Sequence, residues 1–138
     1  MVMDDSALAA REMSQRSMAC VSARDKDAWL SLWAEDGWVE DPIGESFIDP
    51  TGLGHHGVAG REAFWDNNIG SVESIRFELK DSFACGSEVA NVADIHITLP
   101  GGTVSVCEGV FVYRVNDKGQ LLSLRAYWEL DRMLATMS

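Results

Sequence analysis

The order of the local hydrophobic patterns constrains the fold of this chain most. Helix-like segments come first, and strand-like segments follow. After about Ser74, apolar and polar residues alternate in runs separated by short turns rich in Gly, Asn and Asp. The runs are SIRFELKDSF, VANVADIHITL, TVSVCEGVFVYRV and QLLSLRAYWEL. Four strands joined by such turns predict an antiparallel meander.

Three helices are predicted before this sheet. The first runs through ALAAREMSQRSMACVSAR, and Asp25 is placed to cap a second, KDAWLSLWAE, on which Trp29, Leu32 and Trp33 form an apolar stripe. A third is predicted at REAFWDNNI, after a glycine-rich loop. Helices followed by a meander favour an α+β fold, with the helices packed on one face of a curved sheet. We expect one domain over residues 1–138.

Charge and composition restrict the partners of this chain. The formal net charge of -11 disfavours binding to nucleic acid. No apolar run approaches the roughly 18 residues of a membrane helix, and the acidic N-terminus does not resemble a secretory signal. Cys20, Cys85 and Cys107 are widely spaced without a Cys-x-x-Cys pair, which favours buried thiols in a reducing compartment over a disulfide frame or a zinc site. We therefore predict a cytoplasmic protein that binds no nucleic acid, membrane or metal.

Two features of the sequence bear on a ligand site. Five tryptophans in 138 residues either fill the core or line an apolar ligand cavity, and the sequence leaves both possibilities open. Asp41 ends the extended segment WVED, and Glu40 points to the opposite side of it. One of these acids must face inward, where an unpaired carboxylate is usually tolerated only for function. An ordinary Asp-Pro turn at a strand end is the alternative.

Three segments taken together are similar to the ketosteroid isomerase family: LSLWAEDGWVEDPIG, GREAFW and VYRVNDKGQLLSLRAYW. The pattern is closest to mycobacterial members. That family belongs to a superfamily of cone-shaped α+β barrels that includes nuclear transport factor 2 and the polyketide cyclases. The resemblance implies an apolar pocket for a steroid-like ketone, no cofactor, and a homodimer formed through the outer face of the sheet. It also implies that Asp41 is the general base, which removes a proton beside the ketone and returns it two carbons along.

This chain departs from the family at two positions that bind the developing negative charge. The resemblance places Ser17 where the family has a tyrosine, and Phe111 where it has a protonated aspartic acid. Phenylalanine cannot donate a hydrogen bond, and losing one such donor costs about two to three orders of magnitude in rate. The alternative function is therefore a steroid-binding protein with weak or no isomerase activity.

Replacement donors are sought on the predicted strands. By the approximate family register, Asp94 and His96 share a strand face that looks into the cavity, where neutral His96 would donate to a carbonyl. If His96 has no such role, this face of the strand is either exposed to solvent or part of a subunit contact. Tyr113 is a second candidate, since it lies two residues from Phe111 on the same face. The predicted catalytic residues are Asp41 and His96, and the predicted substrate-binding residues are Ser17, Trp33, Phe64, Asp94, Phe111, Tyr113 and Trp128.

The glycine-rich segment Glu45–Ala59 is longer than its counterpart in the well-known isomerases, and we interpret it as a lid or rim at the pocket mouth. It contains His55 and His56, which we interpret as solvated loop residues. A lyase or hydrolase of the same fold would need these histidines inside the cavity.

Overall fold

The computed structural model describes residues 5–138 and confirms the predicted order of helices followed by a sheet. The helices are α1 (Asp5–Ser22), α2 (Lys26–Ser31), α3 (Gly57–Phe64), which continues into a π-helical turn (Trp65–Ile69), and α4 (Leu130–Leu134). The strands are β1 (Trp33–Glu40), β2 (His55–His56), β3 (Ser74–Cys85), β4 (Glu88–Thr98), β5 (Val104–Val115) and β6 (Leu121–Tyr127). No helix among the described residues is long and apolar enough to cross a membrane.

The six strands form one curved sheet in the order β2-β1-β6-β5-β4-β3. Strands β3 to β6 pair antiparallel, as predicted for the meander. The short extended segment predicted around WVED is longer than expected and lies parallel to β6 as strand β1. The His55–His56 segment, interpreted from the sequence as loop, adds to the other edge of β1 as β2.

The end of α2 differs from the prediction. Asp25 caps this helix as expected, because its side chain accepts a hydrogen bond from the Ala28 N–H at 3.1 Å. The helix stops at Ser31, however, and Trp33 is the first residue of β1. The Leu121 N–H donates to the Leu32 carbonyl at 2.9 Å, so the chain here already follows β6.

Arg61 of α3 holds β1 in place shortly before the strand reaches the site. Its buried guanidinium donates to the carbonyls of Gly37 at 2.7 Å and Glu35 at 3.3 Å, within a bulge where β1 shifts its register against β6. The guanidinium carbon also lies 5.5 Å from the centre of the Trp33 ring. These contacts compensate the buried charge and fix the direction in which β1 enters the site.

Polar contacts also dock α1 on the inner face of the sheet. The buried Asn91 side chain of β4 donates to the Ser14 hydroxyl at 2.9 Å and accepts from the Ser82 hydroxyl at 2.8 Å. Ser14 in turn donates to the Arg11 carbonyl at 2.7 Å. Buried polar groups stabilise a packed interior only when they are paired in this way. The network sets the position of the next turn of α1, which carries Ser17.

Candidate active site

A cavity of about 420 Å³ lies between the helices and the inner face of the sheet. Small-molecule sites typically measure about 300–1,000 Å³, so this cavity has the size of a ligand site. Its polar lining is small and consists of Ser17, Asp41, Asn67, Asn68, Ser71, Ser105, Cys107 and Tyr113. The remaining lining is aliphatic and aromatic, and includes Trp29, Phe64, Ile95, Ile97, Phe111, Leu124 and Trp128.

Asp41 is the only charged side chain among the described residues that line the cavity. It directly follows β1, and its peptide bond to Pro42 is cis. The indole N–H of Trp128 donates to Asp41 Oδ1 at 2.5 Å. Burial raises the pKa of Asp41 to about 6, although the hydrogen bond from Trp128 acts in the opposite direction. The cavity therefore holds a carboxylate that is ionised at neutral pH and accepts a proton readily.

Glu40 faces the opposite side of β1. Its Oε2 accepts a hydrogen bond from Arg125 Nε at 2.7 Å and another from Trp38 Nε1 at 3.1 Å. Successive side chains of an extended segment point to opposite faces, which separates the two neighbouring acids. The acid that faces inward is thus Asp41.

Ser17 and Tyr113 form a second polar group on the cavity wall. The Trp29 indole N–H donates to Ser17 Oγ at 3.1 Å, and the Ser17 hydroxyl lies beside the phenol of Tyr113. Burial raises the pKa of Tyr113 well above its usual range, the nearby Asp41 carboxylate raises it further, and the hydrogen bond with Ser17 lowers it. The phenol is therefore protonated at neutral pH and can donate a hydrogen bond. Phe111, on the same wall, has no polar side-chain atom to offer.

The predicted placement of Asp94 and His96 inside the cavity is wrong. The alternate residues of β4, Ile95 and Ile97, line the cavity instead. On the outer face, Asp94 forms an ion pair with Lys80 at 3.0 Å. The apolar side of an alternating strand turns toward the apolar interior, and a one-residue error in register exchanges the two sides. Since His96 lies outside the cavity, it has no access to a ligand bound there.

The aromatic predictions divide between core and cavity. Phe64 and Trp128 line the cavity as expected. Trp33 does not line the cavity and is buried in the core, where its ring packs edge to face on Trp29 with centroids 5.4 Å apart. Trp29 is the residue of this pair that reaches the cavity. The sequence left open whether the tryptophans fill the core or line a ligand cavity, and both are found.

The segment Glu45–Ala59 contributes to the cavity through Phe47 and Ile48 rather than through its histidines. His56 stacks on Trp38 with ring centroids 5.7 Å apart. Burial lowers the pKa of His55, whereas the nearby Asp49 raises it. Neither histidine lines the cavity, so the arrangement that a histidine-dependent lyase or hydrolase would need is absent from the described residues.

The C-terminal segment forms a cavity wall that was not predicted from the sequence. This wall consists of Met133, Leu134 and Met137. The backbones of Val104 and Ser138 exchange hydrogen bonds of 3.1 and 3.2 Å, which hold the segment against the first residues of β5, where β6 does not pair with that strand. The sequence contains a signal for this helix, since Leu130, Met133 and Leu134 have the i, i+3, i+4 spacing of an apolar helix face.

One group among the described residues has the geometry to hold a metal ion. Glu78, Asp94 and His96 each bring one ligand atom within 4.8 Å of the others. The group lies on the outer face of the sheet, and the Lys80 ammonium already pairs with Asp94 there. It is therefore separate from the cavity and from Asp41.

Together, the helices, the curved sheet and the cavity between them define a cone-shaped α+β fold like that of nuclear transport factor 2-like proteins. Residues 14–123 match the SnoaL-like domain, and the chain belongs to that family. Comparison with curated proteins gives no significant match.

Solved structures with similar folds include proteins that act on or bind steroids. The Δ5-3-ketosteroid isomerase from Mycobacterium sp. is 39% identical, with a TM-score of 0.84, over 94% of this chain and 97% of that one. A Mycobacterium tuberculosis protein in complex with estradiol-17β-hemisuccinate is 37% identical, with a TM-score of 0.84, over 94% and 98%. A computationally designed 17-OHP binder is 36% identical, with a TM-score of 0.85, over 94% and 97%. The chain is thus similar both to an isomerase and to steroid binders.

Proposed function

We propose that this protein isomerises a steroid or a similar polycyclic ketone by proton transfer, with Asp41 as the general base. The observation that carries the proposal is a single carboxylate on the wall of an apolar cavity, with its pKa raised to about 6. A base is most effective when its pKa lies near the working pH, because it must both take up and release a proton. The similarity to the mycobacterial isomerase supports the same class of substrate.

In the proposed reaction, Asp41 removes a proton from the carbon between the ketone and a β,γ double bond. The C–H electron pair forms a new carbon–carbon double bond, and the displaced electrons reach the carbonyl oxygen as a dienolate. When the dienolate reverts to a ketone, the electrons take the proton back from Asp41 at the carbon two positions along. Asp41 is neutral in the intermediate, and an apolar cavity favours that neutral form. The reaction as proposed requires no cofactor.

The second candidate is a steroid-binding protein without efficient turnover. Ser17 and Phe111, which stand where the family has two hydrogen-bond donors, favour this candidate because they offer little to a developing oxyanion. The steroid complex of the mycobacterial relative and the designed binder support the same substrate class without implying catalysis. In this case Asp41 would accept a hydrogen bond from a ligand hydroxyl.

The two candidates are separated by adding androst-5-ene-3,17-dione and following the ultraviolet absorption of the conjugated product. We expect turnover by the wild-type protein and a loss of about 10²–10⁴-fold in Asp41→Asn, which removes the base. Glu40→Gln is the matched control, since it makes the same change to the neighbouring acid that faces away from the cavity. A change in tryptophan fluorescence that reports tight steroid binding without turnover would contradict the isomerase and support the binding protein.

We also propose that two copies pair through the outer face of the sheet. An open groove of about 730 Å³ lies on this side, and Val92, Val110 and the half-exposed Tyr127 contribute apolar surface to it. On the same side, Asp94 Oδ1 and His96 Nε2 are buried without a hydrogen-bond partner among the described residues. Sedimentation velocity tests the pairing, and a monomer at micromolar concentration would contradict it.

A further inference from the structure

We propose that Tyr113 donates the hydrogen bond that binds the ligand's carbonyl oxygen, in place of the donors that Ser17 and Phe111 cannot supply. This inference rests on the proposed function, because it assigns the group that meets the negative charge created by Asp41. Tyr113 lies on β5 two residues beyond Phe111, so both side chains point to the same side of the strand. Both line the cavity that contains Asp41.

The direction of the hydrogen bonds supports this role for Tyr113. An indole N–H can only donate, and that of Trp29 donates to Ser17 Oγ at 3.1 Å in a buried contact. Ser17 therefore uses one of its two acceptor sites toward Trp29, which leaves its own hydrogen available to the phenol of Tyr113 beside it. When the phenol accepts that hydrogen, its own O–H hydrogen remains for a third group. Because Ser17 and Tyr113 both line the cavity, a ligand oxygen in the cavity can be that group.

This chain of donors also adjusts how strongly the phenol donates. The bond from Trp29 polarises the Ser17 hydroxyl and so strengthens its interaction with the neighbouring phenol. The Ser17 bond lowers the pKa of Tyr113 against the larger effect of burial, which makes the phenol a better partner for an oxyanion. All three side chains are almost fully buried, so the donor is already oriented before the ligand enters. Ser17 is thus a positioning residue, and Tyr113 is the residue that contacts the ligand.

The arrangement satisfies the two requirements of proton abstraction next to a carbonyl. One group must take the proton from carbon, and another must stabilise the charge that reaches oxygen. Asp41 lies at the end of β1 and Tyr113 on β5, and the carboxylate is close enough to raise the pKa of the phenol. The base and the donor therefore share one cavity while coming from different strands.

The two tyrosines of the chain provide a matched test. Tyr113→Phe and Tyr127→Phe each remove one hydroxyl group, but Tyr113 is 3% exposed on the cavity wall and Tyr127 is 52% exposed outside it. With androst-5-ene-3,17-dione, we expect Tyr113→Phe to lower kcat by about 10²–10³-fold with little change in KM. Tyr127→Phe should match the wild-type protein. If Asp41→Asn abolishes turnover while Tyr113→Phe retains wild-type kcat, the inference is overturned and the proposed function stands.

The role of Ser17 is tested by separating kcat from KM. Ser17→Ala removes the hydroxyl beside the phenol but leaves Tyr113 in the cavity, so we expect kcat to fall by less than in Tyr113→Phe, with KM unchanged. In the double variant Ser17→Ala/Tyr113→Phe, the loss should equal that of Tyr113→Phe alone, since Ser17 acts only through the phenol. Additive losses would overturn the positioning role.

If no ketosteroid is turned over, only the proposed function is refuted. A binding measurement then still tests the role of Tyr113. Estradiol carries a phenolic oxygen, and its affinity can be measured by tryptophan fluorescence in the wild-type protein and in both tyrosine variants. We expect Kd to rise about tenfold or more in Tyr113→Phe and to stay constant in Tyr127→Phe. Equal affinity of all three proteins, or no binding by any of them, would overturn the inference.

Discussion

Glu40 and Asp41 are neighbours in the chain, yet their carboxylates have opposite surroundings. Glu40 lies on the outer face of β1, where Arg125 and Trp38 donate to the same oxygen at 2.7 and 3.1 Å. Asp41 lies on the inner side, where the indole of Trp128 donates to it and no cation lines the cavity among the described residues. The charge of Glu40 is neutralised by Arg125, whereas Asp41 keeps a charge that its apolar surroundings disfavour.

The same contrast extends over the two faces of the sheet. On the outer face, charged side chains form ion pairs such as Lys80–Asp94 and Arg125–Glu40. Such surface pairs contribute little to stability and carry no chemistry by themselves. On the inner face, a single ionisable acid is surrounded by apolar walls, and its pKa is raised to about 6. A charge kept in a place that raises its free energy is a mark of function rather than of stability.

The largest effect on stability is expected from Asp41→Asn at high pH. The pKa of Asp41 in the folded protein, about 6, lies above its ordinary value of 3.8, so the folded state favours the protonated form. Ionisation therefore destabilises the folded protein as pH rises from about 4 to 6, by up to about 3 kcal/mol above that range. Asparagine avoids this cost, and urea unfolding should show Asp41→Asn to be more stable than wild type at pH 8 but equal to it near pH 4. A variant of lower stability at pH 8 would contradict the account.

The next effect is expected from removing the hydrogen bond to Asp41. Trp128→Phe keeps an aromatic ring in the cavity but removes the N–H that lowers the pKa of the carboxylate. The pKa of Asp41 should rise further, and the midpoint of kcat/KM against pH should move from about 6 to a higher value, because only the ionised carboxylate acts as a base. An unchanged midpoint would show that Trp128 does not tune the base.

The smallest effect is expected on the outer face. Glu40→Gln breaks the ion pair with Arg125, whose side chain is 43% exposed, and should lower the free energy of unfolding by about 1 kcal/mol or less. Turnover should stay within about threefold of wild type, because no atom of Glu40 lines the cavity. Loss of activity comparable to that of Asp41→Asn would remove the distinction between the two faces.

The parts of the fold that depend on local patterns could be predicted from the sequence. Alternation predicted the four antiparallel strands, and the Asp25 cap marked the start of α2. The parallel pairing of β1 with β6 could not be predicted in this way, because its partners are about 85 residues apart along the chain. The same distant pairing moved Trp33 from the predicted helix into a strand.

The candidate site was predicted unevenly, for a physical reason. The residue pattern left open whether Glu40 or Asp41 faces inward, and Asp41 was chosen through the resemblance to the ketosteroid isomerases. His96 was placed on the wrong side because the register was taken from a distant resemblance, although Ile95 and Ile97 already marked the apolar side of β4. The group formed by Trp29, Ser17 and Tyr113 brings together two helices and a strand, and no local pattern shows it.

The transfer of a labelled proton tests the central claim, that Asp41 carries a proton between two carbons inside the apolar cavity. Androst-5-ene-3,17-dione deuterated at carbon 4 would be converted by the wild-type protein in ordinary water, and the product examined by mass spectrometry and NMR. Because a single carboxylate shielded by apolar walls removes and returns the label, deuterium should be found at carbon 6 of the product. A product with only solvent hydrogen at carbon 6, or the same label transfer by Asp41→Asn, would contradict the claim.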